Sequence, residues 1–263
     1  MKSSGVYDAF TKRHQNAMMS ATLMAGESTS TTERNVAHVG PAFLPWHRQL
    51  LLDFVAEMRK FDATVELPYL PTNTMGSGWR TSPAWSSSLL GGNGSSGSGY
   101  RVQTGPFASW NSVIYNYNTR SFQTRTGIIR RFSSSSMPGA PSNTISRYDS
   151  SPWNESESNS TNYRVSLEQL LHDAVHNIVG GDMTSGTAPN DPVFYLHHAN
   201  VDRLWSLWQA ARGTNGYTAT YFAPQSGGPL GHNLNDNLRM LVTTDSTPMK
   251  VLDHRPLYVY EAP

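Results

Sequence analysis

The sequence predicts a mainly α fold: a four-helix bundle around a metal pair, wrapped by long loops and a few short strands, as one domain over residues 1–263. Three observations carry this. HDAVH places His172 and His176 four residues apart, so on a helix both imidazoles share one face and can chelate one ion. LHHANVDRLWSLW puts His197 and His198 at the mouth of a second helix that buries Val201, Leu204, Trp205 and Trp208. Upstream, His14, His38 and His47 form a further group. Adjacent helical residues point roughly 100° apart, so one ring of the His197-His198 pair joins His172 and His176. Imidazole suits copper, zinc, nickel or iron, and two three-nitrogen sets in one domain imply two neighbouring ions.

Taken in order, residues 5–24 read as a first helix, with Val6, Phe10, Ala17 and Met18 at helical spacing and His14 one turn past Phe10. Residues 25–36 are a polar loop. A second helix covers 43–60: Pro45 fits its first turn, Leu50, Leu51, Phe54, Val55 and Met58 make its buried face, and His47 lies near its start. Residues 73–162 are rich in Ser, Gly, Asn and Pro. Their interspersed tryptophans and tyrosines imply long loops packed on a helical core, some framing an entrance. The third helix is 164–180, with Ser166 as N-cap and Gly180-Gly181 as stop; the fourth is 190–211, entered through Asn190-Asp191-Pro192. The last fifty residues alternate short apolar runs with turns and read as short strands or extended wraps. His232 and His254 lie there without a partner at chelating spacing, and are read as structural or surface residues.

The net charge of +1 and scattered basic residues give no reason to expect a nucleic-acid partner. No run of about 18 apolar residues occurs, so no membrane span is expected. The absence of cysteine excludes disulfides, thiolate ligands and thiol nucleophiles. Asn93-Gly-Ser95, Asn154-Glu-Ser156 and Asn159-Ser-Thr161 match the glycosylation acceptor pattern and point to a secreted protein, although a serine-rich chain also meets that pattern by chance.

HVGPAFLPWHR followed by NDPVFYLHHANVDRLW resembles the two copper-binding signatures of the tyrosinases, type-3 copper proteins grouped with catechol oxidases and molluscan haemocyanins. The resemblance runs through nearly the whole chain, to Tyr258-Val-Tyr260. It implies a dicopper centre with dioxygen as co-substrate and a small phenol as substrate. It implies His14, His38 and His47 on the first copper, and His172, His176 and His198 on the second, with His197 lining the site. It also implies that Asp173 and Asn177 border the entrance, that Glu168 and Asp173 help deprotonate a monophenol, and that Phe194 buttresses a ligand ring. Glu168 as an ordinary first-turn acid is the competing reading. One departure stands out: relatives read close to LPYWDW where this chain has Leu67-Pro68-Tyr69-Leu70-Pro71-Thr72, which puts the support of the copper ligands in doubt.

The expected activity is hydroxylation of monophenols to o-diphenols and oxidation of these to o-quinones. Catechol oxidase or o-aminophenol oxidase activity is the alternative, and a haemocyanin-like dioxygen carrier a remote one, since the chain lacks that group's extra β domain. A zinc hydrolase would read HDAVH as HExxH, but Asp withdraws the general base and four histidines go unused. A metal-free protein leaves both clusters unexplained. Some bacterial relatives need a copper-delivery partner; the sequence leaves that requirement and the oligomeric state open.

Overall fold

The computed structural model describes residues 1–24, 26–28, 34–154 and 160–260. Four helical stretches dominate: α1 (Val6–Met18), α2 (Phe43–Arg59), α3, made of Tyr163–Val165, Ser166–Asp173 and Ala174–Val179 in unbroken succession, and α4 (Val193–Ala210). α1 ends at Met18, six residues before the expected boundary, because the chain turns there to pair Ala21 with Asn35. Met18 itself is 37% exposed rather than buried. Ser166 is not a cap: its N–H bonds the Asn162 carbonyl, and α3 begins at Tyr163. The middle of α3 is wound as a π-helix, a wider turn often found at functional sites, and His172 sits in it.

α2 and α4 pack side by side. Phe54 stacks on Tyr195 at 3.6 Å, and Arg48 pairs with Asp202 at 2.6 Å, both side chains buried. Removing one partner of such a pair would leave an uncompensated buried charge, so the contact fixes how the helices align. One core cluster gathers Tyr7, Phe10, Trp46, Phe54, Val175 and Phe194. A second gathers Phe43, Leu44, Tyr163, Leu171, Trp205 and Trp208. The histidines lie where the two clusters meet.

The strands fall elsewhere than expected. The last fifty residues form turns, short 3₁₀ segments and one helical turn, Pro248–Val251, with no strand among the described residues. Their apolar residues dock singly onto helices instead of pairing edge to edge. An antiparallel hairpin, β1 (Ser112–Asn116) with β2 (Ser121–Arg125), emerges inside the Ser/Gly-rich stretch instead. It ties the ligand-bearing parts together: Gln15 on α1 bonds the backbone of Val113 and Tyr115, Asn190 bonds Val113, and Arg125 pairs with buried Asp182. Of the expected 25–36 loop, residues 25 and 29–33 lie outside the described residues, as do 155–159 of the glycosylation patterns at Asn154 and Asn159. Asn93 is exposed, its Oδ1 accepting the Phe132 N–H.

Candidate metal centre

Seven imidazoles converge in the bundle. His14 comes from the third turn of α1, His38 from the loop before α2 and His47 from its second turn. His172 and His176 come from consecutive turns of α3, and His197 and His198 from the second turn of α4. Their ligand atoms gather into two sets: His14, His38 and His47 lie mutually within 4.8 Å, and so do His172, His176 and His197. The sets adjoin. His47 stacks face to face on His198 at 4.1 Å, and His38 lies 5.8 Å from His172 between ring centroids.

The hydrogen bonds test whether metals fit. On His14, Nδ1 donates to the Gly186 carbonyl at 3.0 Å; on His47, to the Phe43 carbonyl at 2.9 Å. His172 Nδ1 donates to the Asp173 carboxylate at 2.8 Å, and His176 Nδ1 to the Met183 carbonyl at 2.6 Å. On all four rings Nε2 is buried without a partner. An oxygen on one nitrogen fixes tautomer and ring orientation, and the other nitrogen is left as a lone-pair donor, which is how metal-ligating histidines are held. Seven buried imidazoles with so many unpaired nitrogens make no sense in a metal-free core. Burial lowers all seven below the usual histidine range, His14 to about 4, so the rings are neutral ligands at pH 7.

The third position of the second set has two neighbours to draw on. His197, expected to line the site, has a ring nitrogen within 4.8 Å of those of His172 and His176. His198 stands at the junction instead: it stacks on His47, lies 4.9 Å from His172, and has both ring nitrogens buried and unpaired. The helix turn that separates adjacent side chains sends one ring to each side of the pair.

Phe194 lies against His14 at 4.9 Å and His198 at 4.3 Å, touching rings from both sides of the centre. Asp173 and Asn177 sit one turn apart on the outer face of α3; the Asp173 side chain is 43% exposed and Asn177 is exposed. Desolvation raises the Asp173 carboxyl to about 6, a rise that its contact with solvent moderates. Glu168 is placed differently. It is buried, one carboxylate oxygen accepts the Val39 N–H at 2.7 Å, and the other pairs with Arg164 at 3.0 Å. Burial pushes it up to about 8 against the pull of Arg164. Its oxygens hold the His38 loop to α3.

The stretch replacing Trp-Asp-Trp also has a visible job. Leu70 is buried and its N–H bonds the Leu196 carbonyl at 3.0 Å, one residue before His197. Asn200 donates to Thr72 Oγ1 at 3.3 Å and to Asn73 Oδ1 at 3.0 Å. Backbone and amide contacts thus brace the start of α4. The carbonyl acceptors of Gly186 and Met183 left no mark in the sequence, because any residue carries a carbonyl. Gly180-Gly181 was the available signal, read only as a helix stop. Both have positive φ, and a Cβ on either would fall 2.2 Å from the carbonyl oxygen of Arg131 or Ile129. That close approach folds Met183 back beneath His176.

Residues 4–211 match the family profile of the common central domain of tyrosinase. The chain is 36% identical over 275 residues to a tyrosinase of Streptomyces glaucescens, covering 99% of this chain and 90% of that protein. It is 32% identical over 300 residues to grixazone synthase of Streptomyces griseus, covering 99% and 92%. Its fold is similar to that of a solved polyphenol oxidase from Thermothelomyces thermophila, with a TM-score of 0.63 and 19% identity over 94% of this chain and 74% of that one.

Proposed function

The chain belongs to the tyrosinase family, and on that premise we propose that it is a dicopper phenol oxidase that uses dioxygen to convert monophenols to o-diphenols and o-diphenols to o-quinones. The observation that carries the reading is the orphaned Nε2 on His14, His47, His172 and His176, each opposite an anchored Nδ1. Two coppers would be held by His14, His38 and His47 and by His172, His176 and His198. We assign His198 the last place because its ring lies in register with His47 at the junction, and because the second of the paired histidines fills this place in the family. Bound copper would supply the electron transfer to dioxygen; the protein supplies neutral ligands, orientation and a dry wall.

That wall is Phe43 and Phe194, both fully buried and packed on ligand rings. Asp173 orients His172 through Nδ1 and, with Asn177, lies on the exposed face of α3, where an incoming phenol would meet the protein first. The ligand rings themselves are at most 9% exposed, so loading with copper calls for a delivery partner or a transient opening.

The test is titration of the chain with copper, followed by hydrogen peroxide. Two equivalents, an intense near-ultraviolet band and no strong paramagnetic signal support the reading, as does oxygen uptake with both tyramine and catechol. Uptake of a single ion and no such band would sink it.

A further inference from the structure

The segment that carries His38 is held by a histidine from the far end of the chain. His232 is fully buried. Its Nδ1 accepts the Ala42 N–H at 3.0 Å, so Nε2 carries the proton and donates to the Asn35 carbonyl at 3.0 Å, with Thr22 Oγ1 3.2 Å away. One imidazole therefore spans the two ends of the 35–42 loop. The same loop is tied inside: Asn35 Oδ1 accepts the Ala37 and His38 N–H groups at 3.0 Å each, and the Asn35 N–H bonds the His38 carbonyl at 3.1 Å. Gly40 is pressed against the ring; a Cβ there would fall 2.7 Å from His232 Nδ1 and Cε1.

His38 needs this frame more than the other anchored ligands do. Its own Nδ1 is buried with no partner, so no oxygen orients its ring as in His14, His47, His172 and His176. What remains to place it is the loop backbone, including Val39 in the left-handed region at φ 59°. His232 is in turn delivered by a stiff turn, in which Asp236 accepts from the Gly231 and Asn233 N–H groups and Asn233 accepts from Gly228.

We propose that His232 is a positioning residue for the first copper, acting by stapling the ends of the loop that presents His38. The inference rests on the two-copper reading. It gives the C-terminal segment a part in the metal chemistry, which the histidine spacing did not reveal.

The test is titration of the full chain with Cu(II) alone under chelator competition, for wild type, His232→Leu, His232→Gln and Gly40→Ala, beside His38→Ala. In His232→Leu one of two equivalents should weaken about 10–100-fold, as when an oriented ligand loses its support. The other should hold, and a mononuclear Cu(II) paramagnetic signal should appear that matches His38→Ala. His232→Gln, which keeps a donor and an acceptor, should recover part of the loss. Gly40→Ala, which keeps the imidazole but pushes it aside, should weaken the same equivalent and serves if His232→Leu does not fold. If both equivalents keep wild-type affinity while the copper-free protein melts earlier, the role is only structural and the proposal fails. Equal weakening of both also overturns it. Wild type that takes fewer than two equivalents overturns the two-copper reading, and this proposal with it.

Discussion

The two histidine sets solve the same problem by different means. The second is mostly local. His172 and His176 ride one helical stretch, their rings 4.4 Å apart, and the acceptors of both lie within seven residues: Asp173 beside His172, and Met183 beyond the turn that ends the helix. The first is assembled from two helices and a loop. His14 is fixed by Gly186, 172 positions away, and His38 by a loop held by Glu168 and His232. A chelating pair written into one helix survives wherever that helix forms; a set gathered from distant segments exists only once the tertiary structure closes.

The strongest way to sharpen this contrast is to delete one ligand from each set. His176→Ala and His47→Ala should each lose one copper and lower phenol oxidation by about 10³-fold or more, since a metal contributes several kcal/mol to such a transition state. Metal analysis beside oxygen uptake checks it. The contrast breaks if His47→Ala empties both sites.

Next comes the adjacent pair. His198→Ala should lose the second copper, whereas His197→Ala should keep it with affinity lowered by about tenfold, the scale for a neighbour of a ligand. The reverse pattern, read by copper titration, would transfer the ligand role to His197, whose ring nitrogen lies within 4.8 Å of those of His172 and His176.

A smaller effect follows from pH. His232 is held neutral, its folded-state value lowered to about 3 by burial and by Arg34. The unfolded chain takes up this proton near pH 6.5, so the contribution is fully present above 6.5 and is lost as pH falls towards 3. Across that window, copper-free wild type should lose about 1.4 kcal/mol per pH unit more than His232→Leu, the slope for one proton. Denaturant melts at pH 7, 6, 5 and 4 measure it; parallel curves would show that His232 titrates normally.

The smallest probes the hairpin. Asp182→Asn weakens the pairing with Arg125 that holds the Gly181–Thr184 turn against β2. It should lower affinity at the second copper by about threefold to tenfold and leave the first unchanged. An equal change at both would mean that the hairpin supports the bundle as a whole.

Much of this was legible in the residues. Helical spacing located α2, α3 and α4 to within a few positions, because each buries a continuous apolar face. HDAVH announced a chelating pair because i,i+4 geometry is set by the helix alone. Glu168 stayed open between two readings for a related reason. An acid one turn before a ligand histidine looks the same in sequence whether it faces the entrance or a buried Arg164, and only packing distinguishes the two. The hairpin at 112–125 was hidden by composition, since its strands are stabilised by cross-contacts to α1 and to Asn190 and not by any alternation strong enough to read.

The sequence by itself determined the helices, the absence of thiolate ligands and the identity of the histidines that converge. Those follow from side-chain chemistry and from the period of a helix, both properties of neighbouring residues. The tertiary structure decided which carbonyl meets each Nδ1, that His197 and His198 turn to different sides of the second set, and that Asn35 and Ala42 meet His232 across some two hundred residues. Backbone acceptors carry no residue signature, and contacts at that separation are fixed only when the whole chain packs.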